Sequence, residues 1–376
     1  MKFSDISGQE KTKSGLIKGV QQSTIPHAQL FTGPKGSGAY ALALAYAQFL
    51  SCGNRKADDS CGECNSCKRM SEFMYPDQHF SFPFLIADKK ENADAYISEW
   101  REMLTTKKGY FSHEDWVEAI RGESKNLLIN VNEALALSSK LWLKSFSGGY
   151  KFMIIYEPES MHESAANKLL KLIEEPPQQT IILLVSEKPE NILLTIRSRT
   201  QLVRLEPLSD AIIAGRLKRD FGIDDAGADA IAKVVNGDLA RALTIASHGD
   251  QNLWFASFRD WMRICYSSDM MKLLPWVDEM NTHGREEHRN FLSYALELIR
   301  QCLTGNYTDG ELQRFSPDEL KFAQGFSPFI NHANAAEFLE IFQKASRDIR
   351  GNLNSKLVFF DLSVQIHQQI RKGKGA

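Results

Sequence analysis

The chain has 376 residues, which is enough for two or three domains that each bury their own core. Its composition is that of an ordinary globular protein, and its formal net charge of -2 argues against a protein that coats nucleic acid by bulk charge. Any contact with DNA must therefore be local or shared with other subunits. The first ten residues lack the apolar core of a signal peptide, and no stretch approaches the roughly 20 apolar residues of a membrane span. We therefore expect a cytoplasmic protein.

Residues 1–208 alternate short apolar runs with helical patterns. The helical patterns cover Gly38–Leu50 and Ala165–Glu175, and Pro176-Pro177 ends the second. The apolar runs are rich in branched and aromatic residues and predict buried strands at Gln29–Thr32, Phe152–Tyr156, Ile181–Val185 and Leu202–Leu205. Such alternation predicts an α/β domain with a parallel sheet covered on both faces.

The remaining residues predict helical structure. Residues from about 86 to 124 are charged and mixed, and they interrupt the α/β pattern as an inserted helical segment or a long loop. Residues 209–250 predict a compact helical unit, and residues 251–376 an all-helical region. The clearest helices of that last region are Asn290–Leu303, Asn334–Arg350 and Asn354–Ile370.

A glycine-rich segment follows the first predicted strand and opens a helix. Gly33 and Gly38 keep the spacing of the phosphate-loop motif G-x-x-x-x-G-K-[ST], in which backbone N–H groups face a phosphate. The candidate phosphate-binding residues are Gly33, Pro34, Gly36, Ser37 and Gly38.

The two positions that follow the loop have lost their catalytic side chains. Ala39 replaces the lysine that reaches the terminal phosphates, and Tyr40 replaces the hydroxyl residue that binds Mg²⁺. Phosphoryl transfer depends largely on charge placement, so we expect no intrinsic ATPase activity. The sequence leaves open whether the loop still binds a nucleotide through its backbone. A glycine-rich turn that has never bound a nucleotide is the alternative interpretation.

A second catalytic position is degraded in the same way. The run Lys151–Tyr156 resembles the strand that precedes an acidic pair for Mg²⁺ and water, but Tyr156 stands at the first acid and only Glu157 remains. A lone glutamate after a strand is more often solvated than catalytic. Because the phosphate loop and the acidic pair are both degraded in one chain, a chance resemblance to either motif is disfavoured.

Four of the six cysteines lie within sixteen residues. They are Cys52, Cys61, Cys64 and Cys67, and four thiolates at this spacing can close around one tetrahedral Zn²⁺. Because all four ligands are sulfur, a structural zinc is expected rather than a catalytic one. An iron–sulfur cluster or a redox pair is the alternative. Cys265 and Cys302 lie far away in the sequence and are most simply small core residues.

The segment 191–200 joins the third predicted strand to the fourth and contains Arg199. A surface arginine usually forms a local salt bridge. It can also project from its own subunit to a neighbour's nucleotide as an arginine finger, which raises the rate by orders of magnitude. The residues alone favour the salt bridge.

Taken together, these motifs resemble those of bacterial clamp-loader AAA+ subunits of DNA polymerase III. The resemblance covers about 1–90 and 125–248, and the C-terminal helices match loosely. It is carried by the four-cysteine module and by Phe3-x-Asp5-Ile6-x-Gly8-Gln9, His27-Ala28-Gln29-Leu30-Phe31, Tyr75-Pro76-Asp77, Ala166-Asn167-Lys168-Leu169-Leu170-Lys171, Glu174-Glu175-Pro176-Pro177 and Thr195-Ile196-Arg197-Ser198-Arg199.

The resemblance implies an AAA+ domain over residues 1–208, a three-helix lid over 209–250 and a helical collar over 251–376. It places Arg199 at the arginine-finger position, acting in trans on the ATP of a γ/τ-type subunit, although Thr200 replaces the motif's cysteine. Ser186 falls at the first sensor position, and Ala240 replaces the arginine of the second. The implied partners are the γ/τ and δ subunits and, through the assembled complex, the sliding clamp and primer–template DNA.

Three hypotheses follow. The first is a non-catalytic clamp-loader subunit that supplies Arg199 to a neighbour. The second is an active clamp-loader ATPase of the γ/τ class, which Ala39, Tyr40, Tyr156 and Ala240 disfavour. The third is an unrelated zinc-bearing DNA-binding module, which the acidic balance of charge disfavours.

Overall fold

The computed structural model describes residues 1–86, 92–120, 127–247, 251–305, 317–351 and 353–374. The chain divides into two compact units. The first comprises Met1–Gly222 with Val235–Thr244, and the second comprises Ile223–Val234 with Ile245–Ala376. The predicted boundaries at 208 and 250 stay predictions. Among the described residues, no helix is both long and apolar enough to cross a membrane.

The first unit contains a five-stranded parallel sheet, as the alternating pattern predicted. The strands pair in the order β2-β3-β4-β1-β5. Their bounds are β1 Ala28–Thr32, β2 Gln78–Ser81, β3 Lys151–Tyr156, β4 Thr180–Ser186 and β5 Gln201–Arg204. The three central strands are buried along their whole length, which explains their continuous apolar sequence.

The helices of the first unit cover the sheet and extend from it. Their bounds are α1 Glu10–Gln21, α2 Ala39–Ser51, α3 Asn65–Ser71, α4 Ile97–Lys107, α5 His113–Ala119, α6 Val131–Trp142, α7 Glu163–Glu174, α8 Leu194–Arg197, α9 Asp210–Phe221 and most of α11 Leu239–Ser247. The segment predicted as an insert is helical: it contributes α4 and α5, while residues 87–91 and 121–126 lie outside the described part of the chain.

The second unit is helical in its described residues, in agreement with the prediction. Its helices are α12 Gln251–Ser267, α13 Met270–Met280, α14 Arg285–Gly305, α15 Pro317–Phe326, α16 Ala335–Arg350 and α17 Ser355–Lys374, together with most of α10 Asp225–Val235. Its core is centred on Trp261 and Trp276, whose rings stack with centroids 4.7 Å apart. The buried Trp261 indole donates a hydrogen bond to Ser363, so its polar atom is satisfied.

Candidate functional site

The phosphate loop lies at the carboxyl edge of the sheet, where ligands bind in open parallel α/β sheets. Thr32, the last residue of β1, pairs with Ser186, the last residue of β4. The loop Gly33–Gly38 follows directly and leads into α2 at Ala39. Gly36 and Gly38 have φ angles of +70° and +87°, a backbone conformation that favours glycine. The predicted strand–loop–helix context is therefore present.

Side chains of the same chain lie against this loop. A Cβ atom added at Gly36 would lie 2.1 Å from Asp238 Oδ1, and one at Gly38 would lie 2.8 Å from the Tyr110 ring. At Gly33 the nearest atom would be Ser37 Oγ, at 2.6 Å. These glycines are needed because the chain's own side chains approach the backbone closely. A carboxylate beside Gly36 would also repel a phosphate group.

The loop's lysine also interacts within the chain. Lys35 Nζ lies 3.4 Å from Glu114 Oε2 on α5. Burial alone would lower the pKa of Lys35, but neighbouring carboxylates, led by Glu114 and Asp238, outweigh it and raise that pKa. Lys35 is thus paired with a carboxylate of the same chain.

An aromatic cluster fills the space beside the loop. Tyr40 is 4% exposed, and its ring lies 5.2 Å from Phe111, 5.6 Å from Trp100 and 5.7 Å from Tyr156, measured between ring centroids. Trp100 is fully buried and also stacks on Phe82 at 4.2 Å. Trp100 comes from α4, and Phe111 from the loop between α4 and α5. The inserted segment therefore packs against Tyr40 and Tyr156, the two positions at which the sequence predicts lost catalytic groups.

The one remaining acid after β3 contacts the same segment. Glu157 Oε2 lies 2.7 Å from Nδ1 of His113, the first residue of α5. The hydrogen bond with Glu157 is the main reason why the pKa of His113 is raised. Glu157 is thus held by the inserted segment.

The sensor positions are buried in the fold. Ser186 is 1% exposed, and its Oγ accepts a hydrogen bond from the backbone N–H of Lys188 at 2.9 Å. Ala240 is 6% exposed. The neighbouring Arg241 has its backbone N–H 3.0 Å from Asp238 Oδ1. Asp238 therefore connects α11 to the phosphate loop.

The four predicted metal ligands converge. The Sγ atoms of Cys52, Cys61, Cys64 and Cys67 all lie within 4.8 Å of one another. Cys61 Sγ is 3.6 Å from Cys52 Sγ and 3.9 Å from Cys67 Sγ. A tetrahedral ion with Zn–S bonds of about 2.3 Å requires sulfurs about 3.8 Å apart, so the cluster fits such an ion.

The polypeptide lowers the pKa of the Cys61 and Cys64 thiols, whereas burial raises the pKa of the Cys52 and Cys67 thiols. The backbone N–H groups of Glu63 and Cys64 donate hydrogen bonds to Cys61 Sγ. Burial opposes ionisation of the Cys64 thiol, but hydrogen bonds from the backbone of Cys67 and Gly53 bring its pKa down to about 6. Thiolate is the form that binds metal, so these residues could hold a metal ion. Cys265 and Cys302 are buried elsewhere, in the core of the helical unit.

The cysteine module also fixes the beginning of the chain. Asp59, between the first two cysteines, accepts hydrogen bonds from the backbone N–H groups of Phe3 and Ser4, both at 3.0 Å. Ser60 accepts one from Gln48 of α2. A closed metal site here would have a structural role.

Arg199 lies beyond α8 with its side chain 40% exposed. Its Nε forms an ion pair with Glu174, and its Nη1 donates to the backbone oxygen of Thr195 at 2.9 Å. The local salt bridge that the sequence favoured is therefore present, and the side chain is still accessible to a partner.

Sequence reasoning missed the residues that fill the site. Trp100, Tyr110, Phe111 and His113 lie in the segment without an assigned role, and Asp238 lies beside the degenerate second sensor. The sequence did contain one signal for buried packing in this segment. Residues 100–111 include three aromatic residues in an otherwise charged stretch.

This fold and site define a class of protein: a parallel α/β domain with a phosphate-loop-like turn, in which Ala39 and Tyr40 stand where the motif has its lysine and hydroxyl residue. Residues 8–209, more than half of the chain, match the family described as "DNA polymerase III, delta subunit". The chain belongs to that family.

Named relatives agree with this assignment. The delta′ subunit of Escherichia coli DNA polymerase III is 26% identical over 360 residues, which cover 95% of this chain and 94% of that protein. The tau subunit of Bacillus subtilis is 26% identical over 309 residues, covering 80% of this chain but 46% of that protein, so the chain spans less than half of its length. A solved gamma subunit-related protein of Thermotoga maritima has a TM-score of 0.47 and 15% identity, covering 96% of this chain and 100% of that one.

Proposed function

We propose that the chain is a delta′-type, non-catalytic clamp-loader subunit that assembles with ATPase subunits and supplies Arg199 to a neighbour's ATP. The observation that carries the proposal is the aromatic packing of Tyr40 and Tyr156 with Trp100. A site that holds Mg²⁺·ATP needs charged and hydroxyl groups at these positions, and buried rings cannot replace them. The alternative of an active γ/τ-type ATPase is disfavoured for the same reason.

The arginine-finger role is supported by chemistry and exposure. An arginine stays charged at all physiological pH values and presents a fork of donors that matches phosphate oxygens. Arg199 is exposed on a segment that follows α8, whereas side chains of this chain lie against its own phosphate loop at Gly36 and Gly38. Its charge is therefore better suited to a partner's nucleotide than to one bound by this chain.

An exposed apolar surface supports assembly with a protein partner. Trp142 and Leu143 are each 67% exposed and Phe146 is 79% exposed, at the end of α6 and in the loop that follows. Asp77 fixes that loop by accepting hydrogen bonds from the backbone N–H groups of Phe146 and Ser147, both at 2.8 Å. Large apolar side chains that are held outward in this way are typical of interaction sites. The complex's other subunits and the sliding clamp are the proposed partners.

The cysteine cluster completes the proposal. We infer that it binds one structural Zn²⁺, because four sulfur ligands at tetrahedral spacing leave no coordination position for a substrate. When bound, the ion would cross-link the end of α2 to α3.

The experiment has two arms. The purified chain should show no saturable binding or hydrolysis of ATP, and the reconstituted complex should hydrolyse ATP roughly tenfold or more slowly when it carries Arg199→Ala. Arg197→Ala is the matched control, because Arg197 is also exposed and lies two residues away. Turnover by the purified chain would restore the ATPase hypothesis, and unchanged turnover of the Arg199→Ala complex would make the arginine structural.

A further inference from the structure

We infer that Glu174 is a positioning residue for Arg199, holding its guanidinium group in the orientation that a neighbour's nucleotide requires. This inference rests on the role proposed above for Arg199. It assigns a function to the last residue of α7, whose carboxylate forms the ion pair with Arg199 Nε.

The hydrogen bonds fix the plane of the guanidinium group. Nε is bound to Glu174, and Nη1 donates to the Thr195 backbone oxygen at 2.9 Å, with Ser198 Oγ at 3.5 Å. Among the described residues, Nη2 has no hydrogen-bond partner. Two anchored nitrogens stop rotation of the group, so the two hydrogens of Nη2 stay oriented for an external acceptor.

The position of the ion pair at the end of α7 also makes the positive charge of Arg199 favourable. Glu174 lies in the last turn of α7, where the helix dipole disfavours a carboxylate and favours a cation. Arg199 therefore compensates both the side chain and the helix terminus. Because both side chains are about 40% exposed, the pair contributes little to folding stability, and its main effect falls on orientation.

Holding the guanidinium group of Arg199 in a fixed orientation affects the rate of the chemical step. An unanchored arginine has many rotamers, and ordering it at the moment of reaction costs entropy that the ion pair removes in advance. Loss of Glu174 should therefore lower kcat of the assembled complex and leave KM for ATP almost unchanged.

The test uses the full-length chain in the reconstituted complex and measures kcat and KM for ATP. Glu174→Ala should lower kcat by about threefold to tenfold, and Glu174→Gln, which can still accept from Nε, by less. Glu175→Ala is the matched control, because this exposed neighbour makes no hydrogen bond to Arg199. In the Arg199→Ala background, Glu174→Ala should cause no further loss.

The possible outcomes distinguish the proposed role of Arg199 from the positioning role of Glu174. An equal loss from Glu174→Ala in both backgrounds would show a general structural role and overturn the inference, as would an unchanged kcat with Arg199 intact. If Arg199→Ala itself has no effect, the proposed function fails. If Arg199→Ala slows hydrolysis but Glu174→Ala does not, only the positioning role fails.

Discussion

Tyr40 and Tyr156 pack edge to face, with their ring centroids 5.7 Å apart, at two positions where an active phosphate-loop ATPase places groups that hold Mg²⁺. The packing of Tyr40 therefore depends on the packing of Tyr156. Tyr40 and Tyr156 share one aromatic environment, because each ring also contacts Trp100 and Phe111.

The first prediction concerns the stability of this cluster. Trp100→Ala should lower the free energy of unfolding by about 3–5 kcal/mol, because it removes a fully buried ring at the centre of five aromatic contacts. Urea unfolding followed by circular dichroism measures the change. Trp142→Ala is the control, since this indole is 67% exposed and its loss should change the stability by no more than about 0.5 kcal/mol. Equal effects of the two variants would contradict the packing role of Trp100.

The second prediction concerns the metal. Elemental analysis of carefully purified protein should find about one zinc per chain, and Cys64→Ser should lower that content. Cys265→Ser should leave the zinc content unchanged, because Cys265 lies buried in the helical unit. Removal of zinc by a chelator should also destabilise the N-terminal segment that Asp59 holds. A metal-free wild-type protein with full stability would retract the site.

The sheet and the convergence of the four cysteines could be predicted because their signals are local. Strands β1, β3 and β4 are mostly apolar and fully buried, and the four cysteines lie within sixteen residues of one another in the sequence. Strand β2 was missed because it has four residues, two of which are His79 and Ser81, at the edge of the sheet. Such a short polar segment becomes a strand only through its pairing with β3.

The packing of side chains beside the phosphate loop could not be predicted, because it depends on contacts between residues that are distant in the sequence. Tyr40 and Trp100 are sixty positions apart, and Gly36 and Asp238 about two hundred. Nothing in the spacing of the phosphate loop indicates which segment will cover it. The motif predicts which side chains are missing, and the fold shows which side chains lie beside those positions.

The third prediction concerns the exposed apolar surface. Phe146→Ser should weaken a contact of the assembled complex, because the ring is 79% exposed on a loop that Asp77 holds in place. Co-sedimentation of the reconstituted complex, with and without the sliding clamp, measures the loss. Thermal unfolding should be almost unchanged, since the ring buries little area within the chain. Met271→Ser, at a residue of the helical unit that is 83% exposed, serves as the control. Full assembly and full clamp binding by the Phe146 variant would remove this surface from the proposal.

The fourth prediction concerns pH. Burial, and secondarily the negative charge of Glu157, raise the pKa of Glu159 to about 7, while Lys188 opposes the shift. A carboxyl group whose pKa is raised by folding stabilises the protein fully below its ordinary value, near 4.5, and this contribution is lost as the pH rises through about 7.

Glu159→Gln keeps the shape of the side chain and removes its ionisation. The variant should therefore be more stable than the wild type at pH 8, by on the order of 1 kcal/mol after allowance for solvent screening, and the difference should shrink towards pH 5. Urea unfolding at four pH values between 5 and 8 measures the trend, with the exposed Glu190→Gln as the control. A constant difference across that range would show that Glu159 is not kept protonated by the fold, and a difference that grows towards pH 5 would reverse the sign of its contribution.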